Sequence, residues 1–507
     1  MGIITRLGLA LCAALLLAVA AGATPARADW LKAETPNFII YSDGGERPLR
    51  EYAMKLEVFD RFLRMRFGVP IDRPVGRKLP IYLVRRQGDL RQVRPDVPAT
   101  VAGFYYPGEE DIFAVAVRGD GDFTLLHEYA HHFFFQHFST YYPGWLVEGL
   151  AEYVMTARIW PDRIQVGAHS EARASWLTNG QWLPLDVLLS NRYGEIERGV
   201  HQATYYPVAW LLTHWFMSAP DRVVKLEAYL GLIRQGVDPT TAMQQATGLT
   251  LDQLRNTLRD HLYGRIELNT YDIDLDIQVE ITRMPASADD LLLLGQRLKM
   301  PMSEEDRATA LEESRRMAAR HPDDPLALLV LGHAELHMGD RAAGEAAFTR
   351  LLEQQPDNVE ALQFMAMARI EDAADLPDER TDLMNRARGY LSTAYGVDPG
   401  NYLTLLLIAR SREGAPGYPN DNDLATWEMA FIAAPQLSGI RLGAGHAFLA
   451  AGDKATAIAL LEPLANAPHG GEGAESAQKL IDEANGIVRE DSAEAEPEAE
   501  AAAAAAD

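Results

Sequence analysis

His127-Glu128-Tyr129-Ala130-His131, inside FTLLHEYAHHFFFQHF (residues 123–138), together with WLVEGLAEY (residues 145–153), decides how this chain reads. Residues four apart on a helix stack on one face, so His127 and His131 present two imidazoles to one point, while Glu128 projects about 100° away toward a bound water. The flanking residues are apolar on nearly every side, which marks a helix inside a domain. A carboxylate and two imidazoles buried there, with Glu148 and Glu152 on a second apolar helix, would each cost several kcal/mol if left without a partner. A divalent cation held by His127, His131 and Glu148 removes most of that cost. Sixteen residues separate His131 from Glu148, enough to end one helix, turn at Tyr142-Pro143-Gly144 and return antiparallel. Two histidines and a carboxylate with an open fourth position form the ligand set of catalytic zinc, one ion per chain.

HEYAH followed by WLVEGLAEY resembles the gluzincin branch of the zinc metallopeptidases, and within it the bacterial peptidase-MA-like proteins, over about residues 37 to 265. The resemblance implies an α+β zincin-like fold, His127, His131 and Glu148 as zinc ligands, and Glu128 as general base. Two departures stand out. No Gly-x-Met-Glu-Asn signature for a substrate amino terminus precedes the motif, and Glu152 occupies the position where thermolysin-like members carry an aspartate that orients a ligand histidine.

A second donor to the developing oxyanion is usual in such chemistry. Tyr205, Tyr206 and His201, in HQATYYPVAWLLTHWF (residues 201–216), are the candidates, with Tyr206 favoured because related proteins carry a tyrosine at the start of such a helix; packing aromatics are the alternative. Glu152, one turn beyond Glu148, either accepts the free N–H of His127 or His131 as an outer-shell carboxylate or is simply exposed. His132, His137, His169 and His214 are read as bystanders.

The amino terminus has Arg6, an apolar run from Leu7 to Gly22 and an Ala26-Arg27-Ala28 cleavage site, so residues 1–28 read as a secretory signal peptide and the protein as exported, periplasmic or secreted. The run is too short for a membrane span, and no stable membrane insertion is expected. Cys12, the sole cysteine, lies within the run, so the mature chain has no disulfides and no thiolate ligands. A net charge of −25 argues against nucleic acid as a partner. Residues 486–507 read as a disordered, acidic, alanine-rich tail.

With 507 residues, 48% of them hydrophobic, the chain can build at least two cores. Residues 29–265 read as the metallopeptidase domain: strands at Asn37 to Ser42, Leu79 to Val84 and Ile112 to Val117, a helix from Leu49 to Phe67, and a helical lobe after Glu148. Ile112 to Val117 comes just before the active-site helix, where zincins place a sheet edge that pairs with an extended substrate; an ordinary core strand is the alternative. Residues 266–287, alternating apolar and acidic, read as a linker or a strand. Pro322 and Pro356 lie 34 residues apart, and GHAELHMGDRAAGEAAFTRLL from Gly332 is echoed by GHAFLAAGDKATAIALLEPL from Gly445, so residues 288–485 read as an all-α tetratricopeptide-like solenoid of about four helical pairs. Such arrays bind protein segments or merely buttress a neighbouring lobe.

The leading expectation is a zinc metallopeptidase acting on a peptide or protein substrate, with a protein partner held by the repeats. A catalytically silent binding scaffold, or a hydrolase of non-peptide amides in the cell envelope, is the alternative.

Overall fold

The structure, a computed structural model, describes residues 29–487 except 74, 120, 139–141, 192, 194–195, 197–198 and 468–470. Residues 1–28, expected to be a signal peptide, and nearly all of the expected acidic tail therefore lie outside the described residues. Nine strands are described: β1 (Leu31–Glu34), β2 (Phe38–Ser42), β3 (Leu79–Val84), β4 (Gly103–Pro107), β5 (Ile112–Val117), β6 (Arg158–Trp160), β7 (Arg163–Val166), β8 (Asn269–Asp272) and β9 (Glu280–Arg283). Six form a sheet in the order β4-β5-β3-β2-β1-β9, and β6-β7-β8 form a small antiparallel one.

β3 and β5 are apolar throughout because the large sheet is buried on both faces. Ile81, Leu83, Ile112, Ala114 and Ala116 face one layer, with the long helix Glu46–Phe67 and the HEYAH helix Asp122–His137. Tyr82, Val84, Phe113, Val115 and Val117 alternate to the opposite layer, where Leu90, Val93 and the first helix of the carboxy-terminal half, Ala288–Leu298, cover them.

Two expectations change here. Ile112 to Val117 is not an edge: β3 pairs with it on one side and β4 on the other. The edge next to the HEYAH helix is β4, whose GFYYP sequence lacks the alternation that announces a strand. Residues 266–287 are not a free linker either, since β8 pairs with β7 and β9 crosses back to pair with β1.

The carboxy-terminal half is a helical-repeat array. Its antiparallel pairs are Ala288–Leu298 with Glu304–Ala318, Pro325–Met338 with Arg341–Gln354, Val359–Asp375 with Arg380–Val397, Tyr402–Arg410 with Asp421–Ala433, and Ser438–Ala450 with Lys454–Ala465. The helix Glu472–Asn485 closes the stack, so five pairs replace the four expected. Small residues let the helices of a pair meet: a Cβ at Gly332 would lie 2.8 Å from the Phe348 ring. No helix among the described residues is long and apolar enough to cross a membrane.

Separate cores for the two halves are the expectation from sequence, but one buried cluster runs from Leu31 through Tyr206 to Tyr402, Trp427 and Ala447. The turn between β4 and β5 adds three consecutive acids, each held by a different part of the array. Glu109 receives a two-pronged Arg410 guanidinium, Glu110 lies 2.9 Å from His333 Nε2, and Asp111 meets Lys299 at 3.2 Å and also Arg77. The Lys299 side chain is 9% exposed and also pairs with Glu360 at 2.6 Å. Removing one partner from a buried ion pair leaves an uncompensated charge, and Asp111 would keep only Arg77. Lys299→Ala is expected to cost about 3 kcal/mol, read as a lowered urea midpoint, and calorimetry is expected to give one main transition for both halves.

Candidate metal centre and its surroundings

The HEYAH helix is fixed from below and at its start. Tyr129 donates its hydroxyl to Asp60 at 2.7 Å, and Asp60 pairs with Arg64 at 2.6 Å, both of them buried. Arg64 in turn donates to the backbone carbonyls of Pro70 and Arg73, so its charge is spent on fixed acceptors. Asp122 at the amino end receives the Tyr52 hydroxyl at 2.9 Å and the Lys55 ammonium. A negative residue there also suits the helix dipole.

The second helix, Gly144–Met155, returns antiparallel and brings Glu148 up to the two imidazoles. His127 Nε2 and His131 Nε2 lie 3.1 Å apart, and Glu148 Oε2 is 3.5 Å from the first and 3.3 Å from the second. A tetrahedral zinc ion with bonds of about 2.0–2.1 Å separates its donors by about 3.3–3.4 Å, so this triangle has the size such an ion needs. The three side chains are 8%, 14% and 1% exposed for His127, His131 and Glu148, so water does little to compensate them. Burial opposes a charge on His127, yet Glu148, helped by Glu128 and Glu152, raises its pKa to about 9.

Glu128 lies toward β4. The Tyr105 hydroxyl on that strand has its pKa pushed up by burial first and by the charge of Glu128 next. Tyr105 also hydrogen-bonds His132 Nδ1 at 3.0 Å, and burial lowers the His132 pKa to about 3, so this histidine is a neutral tie between helix and strand. His214 is likewise engaged elsewhere, with His261 at 2.8 Å and the Glu267 carbonyl at 3.1 Å.

The three oxyanion candidates have different surroundings. The Tyr206 ring packs edge-on against His127 with centroids 6.4 Å apart, Tyr205 packs on Tyr193 and Tyr206, and His201 lies on the short helix Val200–Ala203, none of whose residues is buried. Tyr206 is the second residue of the buried helix Tyr205–Met217, which approaches Gly144–Met155 closely because residue 149 is glycine. A Cβ there would lie 2.7 Å from the Ala209 carbonyl oxygen and closer still to Thr213. Gly149, the neighbour of Glu148, is thus the residue that lets the tyrosine helix reach the site.

Glu152 is buried, not exposed, and its first partner is one the sequence does not reveal. Arg173, on the helix Glu171–Asn179, grips it with Nε at 3.1 Å and Nη2 at 2.9 Å. The same guanidinium sits 4.8 Å over the Tyr206 ring. Glu152 Oε1 is 3.7 Å from His127 Nδ1, too long for a hydrogen bond, so it acts on the imidazole by its charge. A single arginine 21 residues from Glu152 leaves no periodic trace in sequence, and only the fold discloses it.

No family model and no curated protein matches the chain. Among solved structures it is similar to a thermophilic TPR protein of Thermus thermophilus, at 19% identity over 39% of this chain and 99% of that one, with a TM-score of 0.33. A tetratricopeptide repeat protein of Parabacteroides merdae gives 13% identity over 53% and 94%, with a TM-score of 0.27. Its own residues build an α+β lobe with a buried His2Glu cluster, joined to a helical-repeat array.

Arg173→Ala leaves Glu152 buried without its guanidinium and is expected to cost about 3–5 kcal/mol in denaturant unfolding. Arg173→Lys should recover only part of that loss, since a point ammonium cannot serve both carboxylate oxygens and the Tyr206 face at once.

Proposed function

We propose that this protein is a zinc-dependent peptidase whose site is His127, His131 and Glu148 with Glu128 as the base. The observation that carries the reading is the donor triangle of 3.1, 3.3 and 3.5 Å, built from a HExxH helix and the helix after it. Bound there, zinc would lower the pKa of a water to about 7 and polarise a carbonyl. Glu128 Oε takes the proton from the attacking water and delivers it to the leaving amine. The Tyr206 hydroxyl donates to the oxygen on which negative charge develops, and Arg173 holds that ring while fixing Glu152 behind His127. β4 supplies the sheet edge along which an extended peptide can pair, on the side where Glu128 lies, and backbone pairing there favours a peptide over other amides.

A second reading, a scaffold that binds without catalysing, is favoured by one observation: the donor set is nearly closed to solvent, with Glu148 only 1% exposed. The array's role is proposed as positioning the lobe. The ion pairs of Glu109, Glu110 and Asp111 with Arg410, His333 and Lys299 tie it to that lobe.

Glu128→Gln is expected to abolish hydrolysis of unfolded protein substrates while zinc content is unchanged, and His131→Ala to lower zinc content by one equivalent per chain. Turnover surviving in Glu128→Gln would favour the scaffold reading or another base. Tyr206→Phe is expected to reduce kcat by about 100- to 1,000-fold with little change in KM, since it removes one oxyanion donor.

A further inference from the structure

Away from the HEYAH helix, the described residues bring together a second set of ligand-type side chains. His333 and His337 lie four apart on the helix Pro325–Met338, one above the other on a single face, with ring centroids 4.6 Å apart. Both face the β4–β5 turn, where Glu110 comes to 2.9 Å from His333 Nε2 with one oxygen and to 3.7 Å from His337 Nε2 with the other. One donor atom from each residue lies within 4.8 Å of the other two. His333 is 3% exposed, and His337 and Glu110 are 22% and 24% exposed.

As a metal-free contact this arrangement is incomplete. Glu110 satisfies one imidazole nitrogen, while His337 Nε2 is buried and has no hydrogen-bond partner although it is aimed at the same carboxylate. Leaving a buried polar atom without a partner is costly, and neighbouring cations do not supply a donor. Lys299 is committed to Asp111 and Glu360, Arg307 to the His337 carbonyl, and Arg341 to the Ala368 carbonyl and Asp372. The pair is not a feature of the repeat either. GHAELH at Gly332 corresponds to GHAFLA at Gly445, where His446 is kept but Ala450 replaces the second histidine. The repeat that meets Glu110 is the one carrying both rings.

We propose that Glu110, His333 and His337 form a second divalent-metal site, of the imidazole-carboxylate kind that takes zinc, which fastens the helical array to the α+β lobe. Two imidazoles and one carboxylate, each offering a donor atom within 4.8 Å of the other two, make a ligand set that a divalent ion can draw together, and partly exposed His337 and Glu110 allow water as a further ligand. The ligands come from both halves of the chain, so bound metal opposes their separation. Glu110 is three residues from the end of the β4 edge, so the same ion fixes the turn that presents that edge. None of this depends on the peptidase reading, because it uses no residue of the first cluster.

The test is equilibrium dialysis of the full-length protein against zinc chloride, followed by elemental analysis. His337→Ala should bind one equivalent less than its parent, both in the wild-type background and in His131→Ala, where the first cluster is already disabled. Glu110→Gln keeps an acceptor for His333 and serves as the second variant should His337→Ala fold poorly. It should lower zinc affinity by at least about tenfold with an unchanged circular dichroism spectrum. Zinc binding by folded His337→Ala or Glu110→Gln that equals the parent's in both backgrounds would overturn the second site.

Discussion

Everything in the α+β lobe is arranged around one electrostatic problem, the burial of Glu148 between two imidazoles. An ionised carboxylate taken out of water at 1% exposure is tolerated only when opposite charge or strong donors meet it. The proposed cation supplies that charge, and the surrounding structure reads as the means of holding the three ligands still. Tyr129 and Asp60 fix the HEYAH helix beneath the ligands, Gly149 lets the Tyr206 helix close in, and Arg173 ties Glu152 to the Tyr206 ring. Each support is itself polar or tightly packed, so the three side chains are held close together by their neighbours.

The helical array takes part in that rigidity. It covers the second face of the large sheet through Ala288, Leu292 and Leu293 and grips the acidic turn that leads out of β4. Here Arg410, His333 and Lys299 spend their donors on the chain's own lobe. The two halves therefore share a core, which two separate domains joined by a linker would not.

How much of this is legible in the sequence follows from the range of each interaction. The HEYAH helix and its return partner are readable because their determinants lie within a few helical turns. The helical pairs are readable because the Gly-Asp turns repeat. The β4 edge is not, since Phe104, Tyr105 and Tyr106 carry no alternation, and the unbroken apolar run of β5 is what a strand buried on all sides looks like. β9 reads as linker because its partner β1 lies almost the whole length of the lobe earlier in sequence. Arg173 and Glu110 act through contacts that only the tertiary fold creates, and no local pattern marks either.

The most direct measurement is an anomalous difference map at the zinc edge from crystals grown with zinc. The account predicts a peak about 2.0–2.1 Å from His127 Nε2, His131 Nε2 and a Glu148 oxygen, with Glu128 facing its open side. A map without density among those three side chains, from protein saturated with zinc, would contradict it.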